Sequence, residues 1–430
     1  MIHMLHNADI ETLPTTPPTH LPSHTVIATA YSCEPNKGSE PGIGWNVVRE
    51  AARQHRVTVI TRENNQPAIE AELARDPEPN LQFVYFDLPA WARWWKRGTR
   101  GLQAYYYLWQ IGAARVARRL HAATPFDVAH HVTFGRYWNP SFLPSLGIPF
   151  VWGPVGGGES APKPFWAGFG MKGRLYEQVR DLARWIGAAD PAVKRTARAA
   201  ALTFATTEET AQAVREAGAQ RVEILGNAAL NQAEIDRLAD TPPPPDGPLR
   251  FLSVGRLLHW KGFDLGLRAF AEAGGAGSTY AFVGDGPDRA RLEALAQDLD
   301  VADRVTFHGV LPRSETLAEM GRSHALVHPS LHDSGGWVCI EAMAAGRPVF
   351  CLDLGGPAIM VDDETGINIP AESPEQAVRD LAAAMRTFTP ARAGVLGRAA
   401  QRRTQAHFTW EGKGRQVAAG YRTAVATASR

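Results

Sequence analysis

Short runs of β-branched and aromatic residues alternate with longer segments of helical spacing along most of the chain. In the first half, strand-like runs occupy residues 25–30, 56–61, 81–86, 127–132, 150–152 and 202–205. Apolar positions spaced three and four apart predict helices over residues 41–53 and 110–121. Strands that alternate with helices in this way predict an α/β fold with a parallel sheet and crossover helices.

A run of four prolines then interrupts the pattern. The segment TPPPPDGP at residues 241–248 cannot continue a helix or a central strand, and it predicts a linker. The alternation restarts with strands at residues 250–254, 280–283, 305–308, 325–328 and 348–351 and helices at residues 263–272, 287–299 and 337–345. We therefore predict two α/β domains, residues 25–240 and 249–395, and C-terminal helices at residues 396–430 that cross back to the first domain.

Composition places the chain among ordinary globular proteins. Hydrophobic residues make up 44% and charged residues 21% of its 430 residues, which excludes disordered, collagen-like and disulfide-scaffold chains. A formal net charge of +1 argues against a nucleic-acid partner, and three cysteines without metal spacing favour a cytoplasmic location. Residues 1–24 lack the features of a secretory signal and are expected to form a disordered tail. No apolar run approaches the roughly 18 residues of a membrane span.

One stretch departs from this even balance of charge. Between Asp87 and Asp127 the chain has no acidic residue, but it has seven lysines and arginines and seven tryptophans and tyrosines. Such a stretch, from Trp91 to Arg119, suits an anionic membrane surface, where rings sit at headgroup depth and cations meet anionic lipid. This would place the protein peripherally at the inner face of the plasma membrane. The alternative is that the rings pack in a core while the arginines face water.

Two segments of the second domain carry candidate phosphate-binding chemistry. SVGRLLHWKGFD, at residues 253–264, places Gly255 and Arg256 after a strand and Lys261 before a helix. Two cations at the carboxyl edge of a parallel sheet can clamp a diphosphate, and glycine lets the backbone approach a ligand. FVGDGP is a strand that ends in a turn at Gly284, although its GxGxxG fingerprint is incomplete. The alternative for both segments is a plain turn with solvated side chains.

The most informative segment is HPSLHDSGGWVCIEAMAAGRPV at residues 328–349. A strand leads into a glycine-rich loop and then into a helix from Trp337, whose first backbone amides can cradle phosphate or sugar hydroxyls. Glu341 lies on an otherwise apolar helix, and a buried carboxylate there is costly unless it is paired, for example with ribose hydroxyls. The alternative is that Glu341 faces water.

Together these segments resemble the donor-binding domain of the retaining glycosyltransferases of family 4. That family has the GT-B fold, two Rossmann-like parallel-sheet domains that face each other across a cleft. The resemblance implies that Arg256 and Lys261 bind the diphosphate of a UDP- or GDP-linked sugar and that Glu341 binds the ribose. Asp333, where the family usually has Glu, would contact the transferred sugar. The backbone amides that would contact sugar and phosphate are those of Gly335, Gly336, Trp337 and Val338.

The first domain resembles the acceptor-side domain of the same family less closely. In GSEPGIGW the resemblance implies that Gly42 or Gly44 approaches the donor phosphate. In DVAHHVTFG it implies that either His130 or His131 reaches the hydroxyls of the donor sugar, and the choice between them stays open. The glycine-rich segment GPVGGGE at residues 153–159 is a candidate edge of the donor or acceptor site, or a plain turn.

The resemblance implies a retaining hexosyltransferase in which the leaving phosphate accepts the proton of the acceptor hydroxyl. The acceptor would be a glycan or a lipid-linked saccharide in cell-surface or exopolysaccharide biosynthesis. We expect no cofactor and no metal, because Asp298 and Asp300, the one DxD pair, end a predicted helix. Two alternatives stay open: a nucleotide-sugar or glycan-binding protein without transfer activity, and a nucleotide-sugar epimerase of the same architecture. An NAD-dependent dehydrogenase is disfavoured, since no complete GxGxxG follows the first strand.

Overall fold

The computed structural model describes residues 24–95, 98 and 100–428, which form two α/β domains with one parallel sheet each. The expected tail lies outside the described residues except for His24, and so do Lys96 and Arg97 of the basic stretch. The fold class predicted from the alternation of strands and helices is therefore confirmed.

The first domain is built on a seven-stranded parallel sheet with the strand order β3-β2-β1-β4-β5-β6-β7. Strands β1 and β4 lie at its centre and are buried almost throughout, as expected for a sheet that is covered by helices on both faces. The strands are β1 (Thr25–Ala30), β2 (Arg56–Thr61), β3 (Leu81–Tyr85), β4 (Val128–Thr133), β5 (Phe150–Val155), β6 (Leu202–Ala205) and β7 (Val222–Ile224). The helices are α1 (Ser39–Ala52), α2 (Gln66–Arg75), α3 (Ala90–Arg93), α4 (Leu102–Ala123), α5 (Gly170–Ala189), α6 (Pro191–Ala199) and α7 (Glu208–Ala217). The next helix, α8 (Gln232–Ala239), packs on the second domain.

The second domain has a six-stranded parallel sheet with the strand order β10-β9-β8-β11-β12-β13. Its strands are β8 (Arg250–Val254), β9 (Thr279–Val283), β10 (Val305–Gly309), β11 (Ala325–His328), β12 (Val349–Leu352) and β13 (Gly366–Ile369). Its helices are α9 (Phe263–Ala273), α10 (Arg289–Asp298), α11 (Arg313–Arg322), α12 (Trp337–Ala344), α13 (Gly355–Met360), α14 (Pro374–Thr387) and α15 (Pro390–His407). In both sheets the strand order reverses beside the first strand, and this switch point is where ligands bind in open α/β sheets.

The last helix, α16 (Trp410–Ala428), packs on the first domain although α15 before it packs on the second. Gly414 lies against Glu50 of α1, where a Cβ atom would come within 2.4 Å of the Glu50 side chain. Tyr421 is fully buried against the same sheet. The chain therefore crosses between the domains twice, before α8 and before α16.

Several elements have no counterpart in the sequence analysis. Strand β7 has only three residues, and two of them are exposed, so no apolar run marks it. No element is predicted over residues 170–199, which form α5 and α6. Helix α4 begins at Leu102 rather than at residue 110, directly after Gly101 in the left-handed region (φ 73°). Of these differences, the one at α5 matters most for the site.

Candidate active site

The loop between β11 and α12 is organised around the carboxylate of Asp333. Its Oδ1 accepts hydrogen bonds from the amides of Gly335 and Gly336, both at 3.1 Å. Its Oδ2 lies 2.6 Å from Lys261 Nζ and 3.2 Å from His328 Nε2. Burial would raise the pKa of Asp333, but Lys261 and His328 outweigh it and hold that pKa well below its usual range. The loop is thus built on an ionised, multiply bonded aspartate.

This arrangement differs from the contact that the resemblance implies for Asp333. Its carboxylate makes four contacts to the protein, so Asp333 shapes the loop, and its contact with a sugar stays a prediction. A short aspartate can bind amides two and three residues further along its own chain, as in an Asx turn. The amides of Trp337 and Val338 begin α12 and have no partner among the described residues, as is usual for the first turn of a helix.

The other predicted donor-side groups lie around this loop. Lys261 has a side chain that is 18% exposed, and Arg256 is exposed with no ion-pair partner among the described residues. Glu341 does not face water: its side chain is 13% exposed and lies 2.6 Å from Arg313, which also lies 3.4 Å from Glu234. Burial raises the pKa of Glu341, and Arg313 opposes that effect. The buried carboxylate is therefore paired within the protein.

Gly255 and Gly284 lie at two strand ends that contact each other. Both residues lie in the left-handed half of φ space, at 150° and 132°, which disfavours a side chain. A Cβ atom on Gly284 would lie 2.0 Å from the carbonyl oxygen of Gly255. The two turns therefore pack backbone against backbone, and this contact accounts for Gly284, whereas at Gly255 the backbone φ alone favours glycine.

Gly42 and Gly44 have a similar structural role in the first domain. They lie inside α1 and are buried, rather than in the preceding loop. A Cβ atom on Gly42 would lie 2.0 Å from the carbonyl oxygen of Lys37, and one on Gly44 would lie 2.1 Å from that of Ser32. The glycines allow the loop after β1 to fold back closely on α1.

His130 belongs to the core and not to the cleft. Its Nδ1 lies 2.7 Å from Tyr421 Oη of α16, and its Nε2 lies 2.6 Å from the carbonyl oxygen of Gly153. The ring is fully buried, and burial lowers the pKa of His130 to about 4. Because the imidazole is neutral, it donates one of these bonds and accepts the other, so neither nitrogen is left for a sugar hydroxyl.

His131 points to the opposite face of the sheet, as alternation along a strand requires. Its Nε2 lies 3.2 Å from Tyr106 Oη of α4, and its Nδ1 lies 3.4 Å from Thr29 Oγ1. Burial lowers the pKa of His131 to about 3. Both histidines thus lie in the core, because helices cover both faces of β4, and the expectation that one of His130 and His131 faces the donor sugar stays a prediction.

A cavity of about 850 Å³ opens in the cleft, lined largely by the first domain. Trp138 and Tyr176 supply aromatic surface, and Asn227, His332 and Ser334 reach it from the linker side and the second domain. Its charged lining residues are Glu40, Arg136, Glu159, Arg180 and Asp190. A polar cavity with aromatic walls is suited to a saccharide-sized ligand.

Glu159, the last residue of GPVGGGE, connects the two domains. Its Oε1 accepts hydrogen bonds from the hydroxyls of Thr207 at 2.6 Å and Thr210 at 2.9 Å. Its Oε2 accepts from the amide of Gly157 at 3.0 Å and from Ser334 Oγ of the second domain at 2.7 Å. The glycine-rich segment is a predicted edge of the site, but Glu159 itself is not a predicted site residue, because its partners come from another strand end and another domain.

A second contact between the domains is centred on Glu177 of α5. Its Oε1 lies 3.1 Å from His259 Nε2 and 3.2 Å from His332 Nε2, both in the second domain. Beside it, Tyr176 stacks on Trp260 with ring centroids 5.0 Å apart. Glu177 is fully buried, and burial would raise its pKa, but the two histidines outweigh this and lower the pKa to about 2. This cluster has no counterpart among the predicted site residues, because no helix is predicted over residues 170–189.

The aromatic stretch between Trp91 and Arg119 divides into two groups. Tyr105, Tyr106 and Trp109 are buried in the core of the first domain, as the alternative interpretation required. Trp91 and Trp94 are instead 78% and 73% exposed. Only a small part of the stretch, among the residues described, therefore presents aromatic surface to the outside.

Two further findings concern metals and membranes. In the described part of the chain, no group of three or more His, Cys, Asp or Glu side chains could hold a metal ion, and α10 ends at Asp298. None of the described helices combines the length and the apolar character needed to cross a bilayer.

Family comparisons agree with this division into two domains. Residues 38–228 match the family model described as glycosyl transferase 4-like domain, and residues 234–393 match the one described as glycosyl transferases group 1. Each of the two domains is therefore similar to a glycosyltransferase domain. These domains meet at the segment between α7 and α8, and together they contain every site residue discussed above.

Relatives with known activities match part of the chain. A 2-deoxystreptamine glucosyltransferase of Streptomyces kanamyceticus is 37% identical over 179 residues, 38% of this chain and 46% of the relative. An alpha-D-kanosaminyltransferase of the same organism is 31% identical over 215 residues, 47% of this chain and 55% of the relative. The chain thus spans about half the length of these curated relatives.

Solved structures share the fold over nearly the whole chain. A sucrose-phosphate synthase from Thermosynechococcus elongatus is 20% identical with a TM-score of 0.61, and the match covers 94% of this chain and 99% of that one. The HepE protein of Anabaena, solved in complex with UDP-glucose, is 16% identical with a TM-score of 0.54, covering 92% and 98%. At these identities the likeness establishes the GT-B glycosyltransferase fold alone.

Proposed function

We propose that this protein is a retaining glycosyltransferase that moves a hexose from a UDP- or GDP-linked sugar to a glycan or lipid-linked acceptor. The observation that carries the proposal is the loop in which ionised Asp333 fixes Lys261 and two glycine amides at the start of α12. That loop faces the cleft between two domains that are each similar to a glycosyltransferase domain. The UDP-glucose bound to the HepE protein supports a nucleotide-sugar donor for this chain as well.

In this proposal the donor diphosphate lies between Lys261, Arg256 and the N-terminus of α12. The free amides of Trp337 and Val338 add partial positive charge there. As the bond to the anomeric carbon breaks, negative charge grows on the leaving phosphate, and these fixed donors stabilise it without reorganisation. That phosphate oxygen takes the proton of the acceptor hydroxyl arriving on the same face, so the anomeric configuration is retained. We propose that the two cations neutralise the diphosphate without a metal.

The proposed acceptor site is the 850 Å³ cavity beside this loop. Trp138 and Tyr176 offer aromatic faces to sugar rings, while Glu40 and Asp190 offer acceptors to sugar hydroxyls. These features support a saccharide acceptor, and we propose a role at the cytoplasmic face in building a cell-surface polysaccharide. A binding protein without transfer activity is the second candidate, because every carboxylate contact of Asp333 is satisfied by the protein.

A donor screen tests the proposal directly. The full chain is mixed with UDP-, GDP- and ADP-linked hexoses, and its melting temperature and the NMR spectrum of the donor are followed with and without oligosaccharide acceptors. We expect one nucleotide class to raise the melting temperature and an acceptor to give a product with the donor's anomeric configuration. Binding without release of nucleotide against a broad acceptor panel would favour the binding protein. An inverted product would contradict retention, and an epimerised donor would indicate an epimerase.

A further inference from the structure

Helix α5 presents a continuous row of large apolar side chains to the outside of the molecule. Five of them follow at spacings of four, four, three and four residues, so they lie on one side of the helix. The row and the neighbouring tryptophan are all more than half exposed: Met171, Leu175, Val179, Leu182, Trp185 and Ile186. A surface helix normally turns such a row toward the core, and this one does the reverse.

The opposite side of α5 explains this orientation. Glu177 is fully buried against the second domain, and Arg180 and Arg184 donate hydrogen bonds to the carbonyl oxygens of Glu159 and Gly158, both at 2.6 Å. The helix is therefore fixed to the protein by its polar groups. Its apolar row is left outside by this anchoring, and rotating the helix to bury the row would break the contact between the domains.

The charges around the row complement an anionic surface. Lys172 and Arg174 are exposed and flank the row on its two sides, 100° and 300° from Met171 around the helix at about 100° per residue. Arg174 keeps its charge at the surface while two of its nitrogens donate to the carbonyl oxygens of Trp166 and Ala167. Of the two acidic residues of α5, Glu177 is buried and Asp181 is paired with Lys163 at 2.9 Å. The exposed side of the described helix therefore carries cations and no free carboxylate.

The row is also continuous with the cleft. Val179 and Ile186 line the 850 Å³ cavity as well as the outer surface, and across its mouth Gln103 and Ala104 come from the start of α4. A few residues before α4 are the exposed rings of Trp91 and Trp94. If the polar head of an amphiphile entered the cavity, its apolar part would lie along the row on α5.

We propose that α5 is an interfacial helix that binds the headgroup region of a bilayer rich in anionic lipid. Its apolar row enters the acyl boundary while Lys172 and Arg174 contact lipid phosphates. The acceptor reaches the cavity from that surface. The membrane site follows from the exposed residues alone, whereas the assignment of a lipid-linked acceptor rests on the function proposed above. The row is about 23 Å long at 1.5 Å per residue, which is long enough for firm interfacial contact.

Flotation on vesicles tests this site. Full-length protein is mixed with vesicles of phosphatidylcholine alone or with equal phosphatidylglycerol, and the bound fraction is measured after flotation. Leu175→Glu/Leu182→Glu adds two charges to the row at positions outside the cavity lining. Ala391→Glu/Val395→Glu adds the same charges at exposed positions of α15 and serves as the matched control. We expect binding to the anionic vesicles, at least a tenfold fall in partitioning for the α5 variant, and no fall for the control.

Three results would overturn the proposal. The wild-type protein could remain unbound to anionic vesicles at low salt, or the α5 variant could float as well as the control. A concentration-dependent dimer that the α5 variant abolishes, without flotation, would assign the row to a second copy of the chain. Turnover with a short soluble acceptor and no vesicles keeps the two proposals apart. If the α5 variant retains that turnover, its loss of flotation concerns the membrane site only. If neither the wild-type protein nor any variant shows turnover, the proposed function fails instead.

Discussion

The two walls of the cleft are built in opposite ways. On the wall of the second domain, polar groups bind one another, and Asp333 holds Lys261, His328 and two loop amides. On the wall of the first domain, α5 uses its polar groups to reach inward and leaves its apolar row outside. The proposed donor side is thus defined by charges that the protein already holds in place, and the proposed acceptor side by the surface that is left uncovered.

Removing Lys261 is the strongest way to break the donor side. Lys261→Met deletes the cation that Asp333 holds at the cleft, and loss of one such preorganised group lowers kcat/KM by about 10²–10³-fold. Steady-state rates at low and saturating donor measure the effect, and a melting curve shows whether the loop survives. Arg268→Met, which removes an exposed cation from α9, is the control and should leave the rates unchanged. Equal rates in Lys261→Met and wild type would refute the role of Lys261.

A substitution at His130 tests whether this histidine stabilises the core of the first domain or lines the cleft. His130→Phe leaves Tyr421 Oη and the carbonyl oxygen of Gly153 without their partner, which should lower the free energy of unfolding by about 2–4 kcal/mol. The KM for donor should stay within about twofold of wild type. Urea unfolding and donor titration measure the two quantities. The reverse pattern, intact stability with a large rise in KM, would return His130 to the sugar site.

What the sequence predicted follows the same contrast between the walls. Residues 328–349 are contiguous, so strand, loop and helix could be placed from their order, and Asp333 and Lys261 do meet. The partners of Asp333 were less predictable, because an aspartate at this position could accept hydrogen bonds either from the protein or from a sugar. For Glu341 the cost of burial was anticipated, but its partner Arg313 comes from α11.

In the first domain, the role of each residue depends on which surfaces other elements cover, and the sequence does not show this directly. The position of His130 and His131 at a strand end was recognised, yet α16 covers one side of that strand and α4 the other. For α5 the difficulty is greater. Its apolar spacing is that of a buried helix, and only the anchoring through Glu177, Arg180 and Arg184 turns the row outward.

Acid should loosen the contact between the walls at Glu177. Hydrogen bonds from His259 and His332 outweigh the effect of burial and lower the pKa of Glu177 to about 2. The ionised carboxylate therefore contributes its full stabilisation above its ordinary pKa near 4.5, and this stabilisation is lost as pH falls toward 2. Burial lowers the pKa of His332, so as pH falls His332 is protonated in the unfolded chain before it is protonated in the folded one, which also favours unfolding. Wild type should therefore lose about 2 kcal/mol more than Glu177→Gln between pH 5.5 and 3. Urea unfolding across this range measures the difference, and parallel curves would contradict it.

The smallest expected effect concerns the single hydrogen bond from Ser334 to Glu159. Because this bond joins the domains at 2.7 Å, its loss in Ser334→Ala should favour separation by about 1 kcal/mol, seen as a roughly fivefold rise in donor KM with kcat nearly unchanged. Ser160→Ala removes a serine–carboxylate bond to Asp181 together with the bonds that Ser160 accepts from Arg180 and Arg184, all within the first domain, and is the control. If both variants raise KM equally, the bond acts through general stability. If only Ser334→Ala raises KM, the bond between Ser334 and Glu159 favours donor binding by holding the two domains together.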